Sequence, residues 1–232
     1  MKRRFSTRAN YSEKDNPTNQ SGQNMKRAYL IVLLLVMINP GFIIAQETVA
    51  PAKKGKIGIT YSSFGENYVI MFTRLLGNAS YDSDYFFTAG ITWVTPLKKG
   101  LELETGLDYS RHSIIIIPNL PPEDDNTPRK VKFSLINIPV TFRANFLKYF
   151  FVNGGLFVDI DPSINSWVNN MTGIGSLLGF AAKYDFNSGI SVFVNPYTKI
   201  HSLIPLGGWV YHQRLLENGI RIGVTYDLSK TK

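Results

Sequence analysis

The sequence contains no cysteine among its 232 residues. Disulfide frameworks, thiolate metal sites, cysteine nucleophiles and lipidation of an N-terminal cysteine are therefore all excluded. Charge is also sparse, because Asp, Glu, Lys and Arg make up 18% of the chain while hydrophobic residues make up 44%. This balance excludes a disordered or collagen-like chain. The length predicts one domain, or at most two.

Long hydrophobic runs are missing as well, and no long amphipathic helix pattern is present. The clearest apolar run, Ala28 to Ile38, is about half the roughly 20 residues that a transmembrane helix needs. It follows Met25-Lys26-Arg27, and a small residue, Ala45, precedes polar Gln46. These features predict a signal peptide over residues 25–45 that is cleaved after Ala45, with an uncleaved anchor helix as the alternative.

Residues 1–24 are polar and precede the second Met, so we expect them to be an extension that results from a start codon assigned too early. The formal charge of +8 is unevenly placed, because residues 46–232 hold 18 basic and 15 acidic residues, a net +3. With no phosphate-binding glycine motif and no basic, aromatic-rich surface, the chain is not expected to bind nucleic acid.

From Lys56 onward, apolar and polar residues alternate with the period of two that is typical of strands with two different faces. Leu101 to Ser110 is the clearest example, and Ile220 to Leu228 repeats the pattern. Six further segments alternate in the same way: 55–62, 86–96, 131–146, 149–161, 173–186 and 189–202. We therefore predict an all-β domain over residues 55–228, an eight-stranded antiparallel up-and-down transmembrane β-barrel.

The connections between these segments alternate in length. Three tight turns are predicted at Pro96 to Gly100, Leu147-Lys148 and Asn187 to Gly189, and four long loops at 63–85, 117–130, 162–172 and 203–218. This layout is typical of small outer-membrane barrels, which have short periplasmic turns and longer extracellular loops. Residues 46–54 then form a short periplasmic segment, and 229–232 a C-terminal tail.

A ten-stranded barrel is the alternative. It requires a strand within residues 66–76 and a split of the last strand at Asn218-Gly219. Eight strands are preferred because they need no tight turn on the side of the long loops.

The face of the strands that carries the charges also carries glycines, which suit a narrow lumen better than a solvated exterior. By parity these are Gly58, Gly90, Gly106, Gly155, Gly175, Gly179 and Gly223. The charged residues of this face form a nearly balanced set: Lys56, Arg143, Lys183, Lys199 and Arg221 against Glu102, Glu104, Asp108, Asp159, Asp185 and Asp227. Enclosed charges need such balance, since an unpaired buried ion costs several kcal/mol.

The opposite face is free of charge and is expected to contact lipid. It contains Ile57, Ile59, Ile91, Leu103, Leu107, Val140, Phe142, Val152, Leu156, Val158, Leu178, Phe180, Val192, Val194, Ile222 and Val224. A periplasmic aromatic girdle is predicted near the tight turns, at Trp93, Phe146, Phe150, Tyr184, Phe186 and Tyr226. A soluble barrel with its apolar face inward alternates equally well and remains the alternative.

Four segments also resemble a known family. Phe133 to Val140 with its Ile-Pro pair, Phe150 to Leu156, Tyr184-Asp185-Phe186 before a glycine turn, and Ile220 to Tyr226 are similar to the PorT-like outer-membrane β-barrel domain family. The resemblance covers about Lys56 to Leu228. It implies an eight-stranded barrel in a Gram-negative outer membrane and, for some members, a part in protein secretion, and it implies no catalytic residues.

Few side chains suggest chemistry. The alternation along the strands places Ser110, His112 and His201 on the inner face near the long loops, with Asp108 and Asp161 nearby. This arrangement is compatible with the Ser-His-Asp triad of a hydrolase. Two inward histidines with a carboxylate are also compatible with Zn²⁺, although no spacing in the sequence demands it. A hydrogen-bonded polar plug is favoured, so we predict no catalytic residue, no metal and no cofactor.

Two charge clusters lie at the ends of the predicted strands. The acidic run Glu123-Asp124-Asp125 and the basic run Arg129-Lys130 with Lys132, at or beside one long loop, are interpreted as solvated loop charge in preference to a cation or partner site. The cluster at the tight-turn end either meets anionic headgroups or a periplasmic partner or simply flanks the barrel rim: Lys53, Lys54, Lys56, Lys98, Lys99 and Lys148. The expected function is that of a non-enzymatic outer-membrane barrel that acts through its loops or periplasmic rim, with lipid and an envelope or secretion protein as partners. A small porin and a soluble periplasmic ligand-binding barrel are the alternatives.

Overall fold

The computed structural model describes residues 55–71, 79–98, 100–121, 124–163, 170–206 and 212–230. The predicted extension, signal peptide and N-terminal periplasmic segment lie outside these residues. No helix within these ranges is long and apolar enough to cross a membrane.

Eight antiparallel strands form a closed ring in sequence order, and the last strand pairs with the first. The strands are β1 Lys56–Ile70, β2 Ser80–Lys98, β3 Leu101–Ile117, β4 Arg129–Phe146, β5 Phe150–Ile160, β6 Gly173–Asp185, β7 Ile190–Pro205 and β8 Arg214–Asp227, followed by a 3₁₀ turn at Leu228–Lys230. This confirms the predicted fold class.

The ring closes along β1 and β8, which pair from Lys56 opposite Asp227 to Ile70 opposite Arg214. Closure gives the backbone groups of the first and last strands partners within the barrel. In hydrocarbon, where water supplies no hydrogen bonds, a closed barrel is the form in which strands can cross a bilayer.

Several strands are longer than predicted, which corrects the predicted loops. β1 continues to Ile70, β2 begins at Ser80 and β8 begins at Arg214, so the predicted loops 63–85 and 203–218 shorten to 71–79 and 206–213. The other two long connections, predicted at 117–130 and 162–172, run over residues 118–128 and 161–172.

β-Bulges explain why the alternation was lost at the ends of the first two strands. The register shifts between Ser62 and Phe64 in β1 and between Ser83 and Tyr85 in β2. A bulge adds one residue to a strand and reverses its inward parity, so Ser62 and Asn67 both point inward although their numbers differ in parity. The ten-stranded alternative is wrong, because residues 66–70 belong to β1 and β8 runs unbroken through Asn218-Gly219.

Burial along the strands is the reverse of that in a soluble barrel. In β1, Ile59 is 65% exposed while its neighbour Thr60 is 6% exposed, and in β8 Val224 is 44% exposed while Thr225 is 2% exposed. At these positions the apolar side chains therefore face out and the polar side chains face the lumen, whereas a buried apolar cluster that includes Phe133, Leu135 and Leu215 lies inside the barrel at the long-loop end. This arrangement fits a transmembrane barrel and rules out the soluble alternative, whose apolar face would line the interior. Val158 departs from the predicted belt, since it is buried beside Ile138 and Ile174 on the neighbouring strands.

Glycines make room for aromatic rings in the lumen. The Phe157 ring lies over Gly175 on the neighbouring strand, and the Phe193 ring lies over Gly223. A side chain at either glycine would collide with the ring. Large and small inward residues therefore alternate across adjacent strands, which fills an eight-stranded interior without gaps.

We predict that Leu178→Arg destabilises the barrel in a lipid bilayer. Leu178 lies in the middle of β6 and is 70% exposed on the outer face, where a charge at the bilayer midplane costs about 2–4 kcal/mol. Leu147→Arg is the matched control, because Leu147 is also exposed but lies in the tight turn between β4 and β5. Urea unfolding in lipid vesicles measures both, and equal stability of the two variants would contradict the orientation.

Candidate functional site

The predicted lumen charges lie at three heights along the barrel. The lowest group lies at the rim formed by the tight turns. There Lys56 lies 3.5 Å from Glu102, and Lys183 lies 3.4 Å from Asp185. Asp185 is exposed and Asp227 is half-buried, so these members of the predicted set line the mouth and not the closed interior.

The middle group is a buried ion triad. Glu104 on β3 accepts two hydrogen bonds from Arg143 on β4, at 2.6 Å from Nε and 2.7 Å from Nη2. Arg221 on β8 donates to the same carboxylate at 3.1 Å. Because β3 and β8 are not neighbours in the ring, this last bond crosses the lumen.

The triad is packed between aromatic rings and polar groups, all buried. The Arg143 guanidinium lies 4.8 Å from the Phe151 ring and 4.9 Å from the Phe193 ring. Arg221 also donates to Asn195 at 2.9 Å, and Thr92 donates to Glu104 at 3.1 Å. Each ion thus gains partners that replace water, which a buried ion requires.

The upper group centres on Glu217, which sequence analysis did not identify. One of its carboxylate oxygens, Oε1, accepts a hydrogen bond of 2.5 Å from the Tyr197 hydroxyl and lies 3.9 Å from Lys199 Nζ. Lys199 Nζ is also 3.8 Å from Asp108 Oδ2. Since Lys199 is on β7 and Asp108 on β3, this contact is a second bridge across the lumen.

Two histidines face Glu217 Oε2, the other carboxylate oxygen. His112 Nε2 on β3 lies 3.5 Å from this atom, and His201 Nε2 on β7 lies 3.4 Å from it. His201 Nδ1 is 3.0 Å from Asp159 Oδ1. All four side chains are completely buried, and the contact between His112 and Glu217 is a third bridge across the lumen.

The side chains considered above as a possible hydrolase triad do not form one. Ser110 Oγ lies 3.1 Å from His112 Nε2, but this hydroxyl donates to Asn137 at 3.2 Å. Asp161 accepts hydrogen bonds from the backbone of Ser163 and Met171 in the loop that follows β5. The serine is completely buried, so the arrangement resembles a polar plug more than an active site.

Several residues that face the lumen were not predicted from the sequence, for identifiable reasons. Glu217 was placed in a loop because Asn218-Gly219 resembles a turn, whereas the period-two pattern continues through it from Arg221 back to Leu215. Tyr197, Asn137 and Asn195 also face inward with the predicted charges. They could have been predicted, because each occupies the same alternating position as the inward charges of its strand.

The predicted aromatic girdle lies on the outer face near the tight turns. Trp93, Phe146, Tyr184, Phe186 and Tyr226 are between 38% and 52% exposed, and Phe150 is half-buried. Trp93 and Tyr226 lie at one height, since each is in register with Ile57. Tyr184 contacts Phe186 with ring centroids 4.8 Å apart, and Phe146 and Phe150 stack at 6.0 Å. Their place at a membrane interface stays a prediction.

Charges at the long-loop end have local partners. Asp125 lies 3.1 Å from Arg129, Lys130 lies 2.9 Å from Asp84, and Lys132 lies over the Tyr85 ring. Hydrogen bonds from Thr127 and then from Arg129 lower the pKa of Asp125 to about 2. Glu123, Lys53, Lys54 and Lys99 lie outside the described residues, and Lys98 and Lys148 are exposed at the tight turns.

The fold and its lumen define a transmembrane β-barrel with a packed, charged interior. No protein-family model and no curated protein matches the chain, so the PorT-like resemblance stays a prediction.

Three solved structures are similar to it. Outer membrane protein AlkL, determined by solid-state NMR in DMPC bilayers, has 10% identity and a TM-score of 0.46, over 79% of this chain and 94% of AlkL. The NalP translocator domain of Neisseria meningitidis has 12% identity and a TM-score of 0.35, over 88% and 97%. OprG of Pseudomonas aeruginosa has 11% identity and a TM-score of 0.37, over 75% and 96%. Because these TM-scores and identities are low, the barrel is described from the strand pairing and side-chain burial of this chain and not from the three structures.

We predict that Glu104→Ala destabilises the folded barrel by about 3–5 kcal/mol, because it leaves the Arg143 and Arg221 charges buried and unpaired. Glu102→Ala is the matched control two residues away on the same strand. Its partner Lys56 is partly exposed at the rim, and such pairs contribute about 0–1 kcal/mol. Reversible urea unfolding in detergent measures the free energy of unfolding of each variant. Similar losses in the two variants would contradict the burial of the ion triad.

Proposed function

We propose that the protein is an integral protein of a Gram-negative outer membrane whose lumen is closed to solutes and whose work is done at its two ends. The observation that carries this proposal is the set of buried polar contacts across the lumen, two of which are ion pairs. Arg221 to Glu104, Lys199 to Asp108 and His112 to Glu217 each join strands that are not neighbours.

The contacts lie at different heights, so they obstruct the lumen along its length. In β3, Glu104, Asp108 and His112 are spaced four residues apart, which at 3.3 Å per residue is about 13 Å between successive members and about 26 Å along the strand from first to last. All three side chains are buried. A solute would have to break a buried polar contact at each height, and breaking the Arg221–Glu104 or Lys199–Asp108 contact would leave buried charge without that partner.

The outer face supports the membrane location. A charge-free apolar belt surrounds the described strands, and a polar interior lies behind it, as expected for transmembrane barrels of this size. The predicted signal peptide directs the chain out of the cytoplasm, and the predicted girdle with Lys98 and Lys148 suits a periplasmic rim.

The absence of an enzymatic role is part of the proposal. Ser110 and His112 are completely buried, and their polar atoms are engaged with other lumen side chains. A nucleophile in this position is not accessible to a substrate from either mouth. The PorT-like resemblance leads us to propose an accessory part in secretion or in an envelope complex, performed by the loops or the periplasmic rim.

We expect the purified full-length protein to insert into planar lipid bilayers without producing discrete conductance steps above the lipid background, because the lumen is filled. A conducting porin reconstituted in the same way is the control for insertion. Reproducible steps from the wild-type protein would contradict the closed lumen and favour the small-porin alternative.

A photo-activatable cross-linker in living cells is expected to show which end binds a protein partner. Leu120 and Asp125 represent the long-loop end, Lys98 and Lys148 represent the tight-turn end, and Leu178 on the lipid-facing belt is the control. We expect a specific protein adduct from one end and none from Leu178. Adducts from Leu178 alone, or from no position, would contradict a role performed at the rims.

A further inference from the structure

We propose that His112, His201 and Glu217 bind one divalent transition-metal ion of the Zn²⁺ type, and that this ion fastens β3 to β7 and β8 across the lumen. One imidazole nitrogen from each histidine and one carboxylate oxygen all lie within 4.8 Å of one another. Imidazole and carboxylate are ligands that Zn²⁺ uses in proteins. The proposal adds a binding site to the closed barrel described above and does not depend on its location in the cell.

In the described part of the chain, two of these donor atoms, His201 Nε2 and Glu217 Oε2, have no hydrogen bond, and neighbouring groups orient His201. Asp159 Oδ1 faces His201 Nδ1 at 3.0 Å, and Asp159 Oδ2 accepts a hydrogen bond from the Ser202 backbone at 3.0 Å. A carboxylate on Nδ1 fixes the ring tautomer that presents the Nε2 lone pair, as it does for many metal-bound histidines. Asn137 also donates to Asp159, so the orienting carboxylate is itself held in place.

Glu217 divides its two oxygens between different partners. Oε1 accepts from Tyr197 and faces Lys199, whereas Oε2 faces the two histidines. Among the described residues, neither Glu217 Oε2 nor His201 Nε2 has a hydrogen-bond partner. Two completely buried polar atoms that face each other at 3.4 Å are satisfied either by a proton on His201 Nε2 or by a bridging cation, since unsatisfied buried polar groups are rare in native proteins.

The spacing suits a tetrahedral ion. Zn²⁺ binds nitrogen and oxygen at about 2.0–2.2 Å, which places two ligands of a tetrahedron about 3.3–3.6 Å apart. The separations of Glu217 Oε2 from His201 Nε2 and from His112 Nε2 are 3.4 Å and 3.5 Å. The separation between the two histidine donors lies within 4.8 Å and closes by small side-chain rotations.

Metal binding also sets a requirement for His112. To bind the ion, His112 Nε2 must give up its hydrogen-bond contact with Ser110 Oγ, now at 3.1 Å. The single proton of the neutral imidazole must then lie on Nδ1. Nδ1 lies 3.4 Å from the side-chain amide of Asn67. That amide now presents its NH2 group to Nδ1, while its oxygen accepts a hydrogen bond from Ser83 Oγ at 2.8 Å. Metal binding therefore requires the amide to turn over and give up the Ser83 hydrogen bond before its oxygen can accept the Nδ1 proton and orient the ring.

The local charge favours a cation. Asp108, Asp159 and Glu217 lie around the site, and Lys199 contacts two of these three carboxylates. The rings of Phe133 and Phe157 pack on His112 and His201 with centroids 5.3 Å and 5.1 Å apart. The site is thus closed to substrates, and the ion would have a structural role.

The test uses tag-free full-length protein, folded in detergent after treatment with a chelator, and titrated with Co²⁺ as a spectroscopic substitute for Zn²⁺. We expect visible absorption bands of four-coordinate Co²⁺ that saturate at one ion per chain and disappear when Zn²⁺ is added. We also expect the midpoint of thermal unfolding to rise with Zn²⁺ concentration, because the ion binds the folded state. Absence of both effects would overturn the proposal and leave the cluster as an ion pair that holds a proton.

Variants locate the ion. His201→Asn and Glu217→Gln are each expected to weaken Co²⁺ binding at least tenfold. His212→Asn is the matched control, because His212 is also a buried histidine at this end, but it faces Ser202 at 2.9 Å and not the cluster. Unchanged binding in both site variants, or equal loss in His212→Asn, would overturn the assignment. If a site variant does not fold, X-ray absorption spectroscopy of Zn²⁺ bound to the wild-type protein identifies the ligands instead. A coordination shell without imidazole nitrogen would contradict the proposed site.

Discussion

An ion inside an eight-stranded barrel must find its counter-ion inside the same barrel, because water cannot reach it and lipid cannot neutralise it. The rest of this structure depends on that constraint. Glu104, Arg143 and Arg221 satisfy it in the middle layer, and Glu217 and Lys199 satisfy it above. Because Arg221 and Glu104, like Lys199 and Asp108, lie on strands that are not neighbours in the ring, neutralising the charges also places side chains across the lumen and ties its walls together.

Space is the second constraint, and it acts through residue size. An interior of eight strands is just wide enough for side chains. The barrel therefore places large rings over glycines, as Phe157 lies over Gly175 and Phe193 over Gly223. The Phe193 ring in turn packs on Arg143 and Arg221, so Gly223 and the ion triad belong to one packed layer, whereas the Phe157 ring over Gly175 packs on His201 in the upper group.

The fold could be predicted from the sequence because alternation is a local property of each strand. One face of β3 carries Glu102, Glu104 and Asp108, and no other arrangement buries these groups while exposing Leu103 and Leu107 to lipid. The number of strands and their order followed from the same pattern together with the tight turns.

The site could be predicted only in part, because parity gives the face of a residue but neither its height nor its partner. Ser110, His112 and His201 were placed on the inner face near the long loops, yet nothing in the sequence showed that Glu217 lies between the two histidines. The bulges in β1 and β2 also reversed parity and hid Asn67 and Ser83. Contacts across the lumen depend on the stagger of all eight strands, which no single segment encodes.

The orientation of the two faces is the central claim, and spin labels on β8 test it most directly. The chain has no cysteine, so single cysteines at Ile222, Val224 and Thr225 can each carry one label in a lipid bilayer. The account predicts high collision rates with oxygen and low rates with a water-soluble nickel complex at Ile222 and Val224, and low rates with both at Thr225. Access of the nickel complex to Val224 equal to that of a label in the 118–128 loop would contradict it.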